Sequence, residues 1–147
     1  MTDSAALVKP SKRRLFGFIA GFVSTLTFHQ LTLAAVWKLG LAPFAPFSLA
    51  ATAPFGVPAV ISLAFWGGLW GVLLAWVEHR FPPPPHYWTV AFLFGAILPP
   101  LVAVLVVFPL KGQTVTGNGW SLLLTAILIN GAWGLGAGWV LRMLSAR

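Results

Sequence analysis

The sequence predicts an all-α membrane protein, a four-helix transmembrane bundle with both termini in the cytoplasm. Three observations predict it. First, 59% of the 147 residues are hydrophobic and only 7% are charged, where a soluble domain carries about 25% charged residues. Second, there are four uncharged apolar stretches, near residues 15–37, 59–77, 87–110 and 120–141, each long enough to cross a bilayer core that takes about 20 helical residues. Third, seven of the nine basic residues (Lys9, Lys12, Arg13, Arg14, Arg80, Arg142, Arg147) fall on one side of a four-span arrangement, and Lys38 and Lys111 on the other. That asymmetry places the termini inside by the positive-inside rule. Residues 1–14 then form a basic cytoplasmic tail, and 15–147 the transmembrane domain.

Composition excludes several classes. The net charge of +7 comes from residues at span ends that build no face of their own, so membrane lipids rather than nucleic acid are the expected partner. The absence of Cys removes disulfides, thiolate metal sites and Cys nucleophiles. Asp3 and Glu78 are the only carboxylates, and neither lies within a span, so the paired carboxylates of a glycosidase and the intramembrane ones of a usual proton-coupled transporter are missing. No nucleophile-elbow, zinc-protease, P-loop or dinucleotide-binding motif is present. The reading is non-enzymatic, with no catalytic residue, metal or cofactor assigned. The apolar run after Lys12-Arg13-Arg14 is longer than the ~7–15 residues of a signal-peptide core, which predicts an uncleaved first helix.

In span one, Gly17, Gly21, Thr25 and Thr32 form a stripe of small or hydroxylated residues that lets another backbone approach. His29 falls on the same side as Thr25, and Gln30 about 100° away. Residues 38–58 carry Pro43, Pro46, Pro54 and Pro58 among Phe44, Phe47 and Phe55. Repeated prolines forbid a regular helix, and the aromatics favour an interfacial segment or a cap. A re-entrant loop requires that protein bury it. Span two presents Ala64, Gly67, Gly68, Gly71 and Ala75 on one face. The turn after it runs Glu78-His79-Arg80-Phe81 and then four prolines, a stiff spacer, with Glu78 and Arg80 read as a surface pair. Pro99 and Pro100 fall near the centre of span three and predict a break that frees carbonyls near Gly95 and Ala96. Residues 111–119 form a polar, glycine-rich turn. Span four carries Asn130 at mid-depth, and Gly131, Gly134 and Gly138 on one face. Trp37, Trp76, Trp88, Trp120 and Trp139, with Tyr87, fall at span ends as an interfacial aromatic belt.

Residues 68–77 and 131–140 share five of ten positions, including Trp70/Trp133 and Trp76/Trp139. A duplicated two-helix unit would keep its orientation and give a parallel repeat. Two glycine-lined packing helices of similar composition are the competing reading.

Polar groups within the spans are few: His29, Gln30, Asn130 and hydroxyls including Thr25. Such groups either bond one helix to another, at about 0.6 kcal/mol each, or contact a proton, ligand or cofactor. A haem, metal or quinone at His29 would leave His79 and His86 at the opposite surface, unable to share its site.

The segments LTFHQ (26–30), PFGVPAVISLAFWGGLWG (54–71), FPLKGQ (108–113) and INGAWGLG (129–136) resemble a group of small four-span proteins of proteobacteria. The resemblance implies a bacterial inner membrane and brings no activity, cofactor or site. The expected function is a structural or accessory membrane component that self-associates or binds other membrane subunits. The warrant is an excess of glycine faces, since Gly17/Gly21, Gly67/Gly71, Ala91/Gly95 and Gly134/Gly138 exceed what four short helices should pair internally. The alternative is a small-solute or ion permease with its path beside His29, Gln30, Asn130 and the Pro99-Pro100 break.

Overall fold

A computed structural model describes residues 10–112 and 119–146. Lys9, Arg147, the first nine residues of the basic tail and most of the glycine-rich turn, residues 113–118, lie outside the described residues. Four helices are long and apolar enough to cross a membrane: α1 (Pro10–Lys38), α2 (Ala59–Arg80, its last turn 3-10), α3 (His86–Leu110) and α4 (Gly119–Ser145). A two-residue antiparallel ladder, β1 (Ala51–Thr52) with β2 (Val57–Pro58), lies between α1 and α2.

The first helix begins at Pro10, five residues before the apolar run, so Lys12, Arg13 and Arg14 of the basic tail are helical. Proline suits a first helical turn because its missing N–H has no intrahelical partner there. Within α1, Thr25–His29 is a π-turn. Thr25 Oγ1 donates to the Gly21 carbonyl at 2.9 Å and Thr27 Oγ1 to the Val23 carbonyl at 2.8 Å, competing with the regular ladder where the π-turn begins. The expected break in α3 also takes a milder form. The helix continues through Pro99 and Pro100 and re-phases in a second π-turn at Ala103–Val107, an adjustment by which membrane helices accommodate missing donors.

The helices pack as two close antiparallel pairs. In the first, the Gly17 and Gly21 positions of α1 lie against the Gly71 and Gly67 carbonyls of α2, and a methyl group at any of these four glycines would overlap the partner helix. In the second, Gly95 of α3 faces the Asn130 carbonyl and Gly134 of α4, while Gly134 faces the Ala91 carbonyl. Gly138 sits against Tyr87 and Ala91. Helices 1 and 4 join the pairs: Ser24 Oγ donates to the Trp133 carbonyl at 2.7 Å, Trp133 Nε1 donates to the Gly21 carbonyl at 3.0 Å, and Gly136 makes room for Phe28 and Ser24. The core fills with Ala20, Leu74, Ala75, Phe94, Trp133, Ala137 and Leu141. Helices 2 and 3 meet through side chains, with Trp70 and Phe94 edge to face at 6.4 Å.

This packing corrects three expectations. The glycine faces are not in excess, because Gly17/Gly21 pair with Gly67/Gly71, and Ala91/Gly95 with Gly134/Gly138. Close backbone approach consumes small residues two faces at a time, so four faces make two internal seams. The second correction concerns Glu78, which does not pair with Arg80. Arg13 donates to Glu78 Oε1 at 2.8 Å and to the Ala75 carbonyl at 2.7 Å, and Tyr87 Oη donates to Glu78 Oε2 at 2.8 Å. Arg80 instead lies over the Trp76 ring at 5.8 Å, and Arg142 over the Tyr87 ring at 4.6 Å. Tyr87 is therefore 2% exposed, a buried tie between helix ends rather than part of the aromatic belt. One carboxylate links α1, α2 and α3, and the Tyr87 ring adds α4.

Candidate functional site: a capped pocket at His29

The π-turn brings His29 to the inside of α1, and Gln30 follows it. Both are buried, at 7% and 3% exposure. On a regular helix two successive residues point about 100° apart and cannot both face one neighbouring helix. Here both are covered because the connection 39–58 folds back over the helix end. Gln30 is the anchor of that cap. Its Oε1 accepts the Phe47 backbone N–H at 2.6 Å, and its Nε2 lies 3.4 Å from His29 Nδ1. Phe47 has φ +52°, a left-handed conformation that costs a bulky residue energy. The charge-free but well-directed bond to the buried Gln30 holds it there.

The cap pairs its own backbone, as a segment without helix must near lipid. Gly56 N–H donates to the Thr52 carbonyl at 2.8 Å, Ala59 N–H to Ala50 at 2.9 Å and Val60 N–H to Ser48 at 3.0 Å. Thr52 Oγ1 closes the turn on the Val57 carbonyl at 2.7 Å. The far side is tied to α4, where Ser121 Oγ donates to the Leu41 carbonyl at 2.6 Å and Thr125 Oγ1 to the same oxygen at 3.3 Å. Residues 39–58 thus form a folded cap over the bundle end, one of the forms open to them.

Beneath the cap lies a pocket of about 290 Å³, walled by His29, Gln30, Leu33, Phe44, Ser48 and Ile129, among others. Its polar groups are one imidazole, one amide and one hydroxyl, and the rest of its wall is apolar. Such a lining suits a small, mainly apolar molecule with a single hydrogen-bonding group.

The other predicted site residues are elsewhere. Thr25 is 2% exposed and fills the α1–α2 seam against Gly67, its hydroxyl spent on Gly21. Asn130 turns its amide back onto the Ala126 carbonyl at 3.0 Å, in its own helix. Pro99 and Pro100 do not line the pocket. The structure thus brings His29 and Gln30 together and separates them from Asn130 and the proline pair. Ile129, not Asn130, is the α4 residue in the wall of the His29 pocket. Asn130 follows Ile129 on α4 by about 100° of helix rotation, so its side chain leaves the wall that Ile129 enters. Sequence reasoning missed Ser48, Phe44 and the Gln30–Phe47 bond. The aromatic, proline-rich and uncharged character of 38–58 was the one signal for them. Among the described residues, no three His, Asp or Glu side chains come together to hold a metal ion.

Comparison with protein-family models, with curated proteins and with solved structures found no match to this chain.

Proposed function

We propose that this chain is a non-enzymatic multi-pass membrane protein that works as a structural or accessory component, associating with copies of itself or with other membrane subunits. One observation carries the reading. In the second half of α3, no residue from 97 to 110 is buried, although this is the most apolar of the four spans, with a hydropathy of 2.7. Association inside a membrane is driven by packing between helix surfaces. The glycine seams are used internally, so the surface offered to a partner helix is Leu101, Val104, Leu105 and their neighbours.

The chain has no Cys, which makes single-cysteine crosslinking clean. A Leu105→Cys variant in native membranes is expected to give a crosslinked dimer or a heavier adduct, and Leu69→Cys on the exposed face of α2 is expected to give none. Equal behaviour of the two variants, with a strict monomer and no co-purifying subunit by native mass spectrometry, would overturn the reading.

Three finer statements belong to the same proposal. Both termini lie in the cytoplasm, on the strength of the basic residues at one end of the bundle. The membrane is a bacterial inner membrane, on the strength of the resemblance to the four-span proteobacterial group. The two helix pairs descend from one duplicated unit. This last is supported by equivalent contacts: Gly68 meets Phe18 as Gly131 meets Phe92, and Gly71 meets the Gly17 carbonyl as Gly134 meets the Ala91 carbonyl. The first members of these pairs are 63 residues apart and their partners 74 residues apart throughout.

Of the second reading, a small-solute or ion permease, the mainly apolar pocket at His29 favours the small-solute form. It predicts that His29→Ala abolishes flux in liposomes while the variant folds normally. Undiminished flux in that variant would exclude a path at this pocket.

A further inference from the structure

At the opposite end of the bundle from the cap, a second pocket of about 480 Å³ opens between the α2–α3 turn and the ends of α1 and α4. Arg13, Glu78, His79, Tyr87 and Arg142 line it, with the proline run 82–84 as one wall. Its charge is unbalanced. Both oxygens of the single carboxylate, Glu78, are taken, one by Arg13 and one by Tyr87. Arg13 is neutralised by that pair. Arg142 is not: its guanidinium rests on the face of the Tyr87 ring at 4.6 Å and donates no hydrogen bond among the described residues. Stacking holds the planar fork in place while leaving its N–H groups unspent, an arrangement suited to a phosphate or carboxylate. His79 brings a ring beside Arg142 in the same lining, and the prolines contribute a stiff wall with no N–H of their own.

The position of the pocket narrows the ligand. It sits where all four spans end on one face, and Trp76 and Met143, close to the ends of α2 and α4, are exposed. Those are the surroundings of a lipid headgroup with its chains descending along the bundle. We propose that this pocket binds the phosphate of an anionic phospholipid, Arg142 and His79 contacting the phosphate oxygens while the Arg13–Glu78–Tyr87 group forms the floor. A free phosphate anion has the same contacting atoms, so the experiment separates the two sources.

The test is native mass spectrometry of the full chain in mild detergent, titrated with phosphatidylglycerol, with phosphatidylcholine and with inorganic phosphate. Phosphatidylglycerol is expected to stay bound to the native protein in preference to phosphatidylcholine. Arg142→Gln is expected to weaken its retention about tenfold, as the loss of one charge-assisted contact implies. Lys12→Gln, which removes an exposed charge outside the pocket, is expected to leave retention unchanged. Arg142→Lys keeps the charge without the fork and is expected to fall between them. Should Arg142→Gln fail to fold, the Lys variant and His79→Ala carry the test. Equal weakening by Lys12→Gln and Arg142→Gln would reduce the effect to diffuse surface charge and overturn the proposal. Displacement of the lipid by millimolar inorganic phosphate would assign the pocket to a free anion and overturn the lipid assignment.

Discussion

The α1–α2 pair and the α3–α4 pair use the same device at their seams and finish differently. Each places backbone carbonyls of one helix against the bare glycine backbone of the other. The first pair carries a twenty-residue connection that folds into a cap, held by Gln30 from α1 and by Ser121 and Thr125 from α4. Among the described residues nothing comparable covers the far half of α3, whose side chains from 97 to 110 are all at least partly exposed. The difference teaches that a small-residue seam sets how closely two helices approach, while the polar groups around it set where the bundle stops being self-contained. One pair is closed over a pocket, and the other is left open along a span.

The largest expected effect comes from the seams themselves. Gly71→Val and Gly134→Val each drive a side chain into the facing backbone and should cost about 3 kcal/mol or prevent folding. Gly119→Ala, with open space around it, should fall within about 0.5 kcal/mol of the native protein. Reversible unfolding in mixed micelles measures all three, and a much smaller loss for Gly134→Val than for Gly71→Val would show that the two seams are not alike.

Core truncation sharpens the contrast further. Leu74→Ala removes a side chain with 0% exposure and should cost about 2 kcal/mol, mainly from the cavity, since unfolding within a membrane returns the leucine to lipid and not to water. Leu105→Ala, at 64% exposure, should leave the stability of the isolated chain almost unchanged. A loss at Leu105 that grows with protein concentration would locate a helix–helix interface there.

The tie between the pairs comes next. Glu78→Ala leaves the Arg13 guanidinium and the Tyr87 hydroxyl without their acceptor and should cost about 1–2 kcal/mol. Arg80→Ala, which loses only a stacking contact with exposed Trp76, should cost less, about 0.5 kcal/mol. The reverse order would restore a Glu78–Arg80 surface pair.

The smallest expected effect is local. Gln30→Leu removes the acceptor of the Phe47 N–H and should cost about 1 kcal/mol. Its signature is faster hydrogen exchange confined to residues 44–50, with the seams unchanged. Unchanged exchange at Phe47 would mean that the cap is held by Ser121 and Thr125 alone.

Much of the architecture was legible along the chain. The four helices fall close to the stretches read from hydropathy, because a span is a local property of some twenty consecutive residues. Gly17, Gly21, Gly67, Gly71, Gly134 and Gly138 were recognisable as packing residues from helical spacing alone. Their pairing was not, so an apparent surplus of small faces became two internal seams. His29 and Gln30 were recognisable as unusual within a span, but that the wall of their pocket takes Ile129 rather than Asn130 from α4 depends on how the helices are rotated against one another. Glu78 next to Arg80 suggested a local pair, and the actual partner is Arg13, 65 residues away.

What the sequence by itself determined is the kind of object: an apolar chain with four spans and charges gathered at their ends. Hydropathy and charge placement act on each segment separately, against water and lipid, and need no knowledge of its neighbours. What only the tertiary structure decided is which groups meet. The bond from Trp133 to Gly21 spans 112 residues of chain and that from Ser24 to Trp133 spans 109. Such contacts depend on helix phase to within a fraction of a turn, and two π-turns are enough to change that phase. The two pockets, one under the cap and one behind Arg142, are built at that level, where the physics is close packing rather than partition between water and lipid.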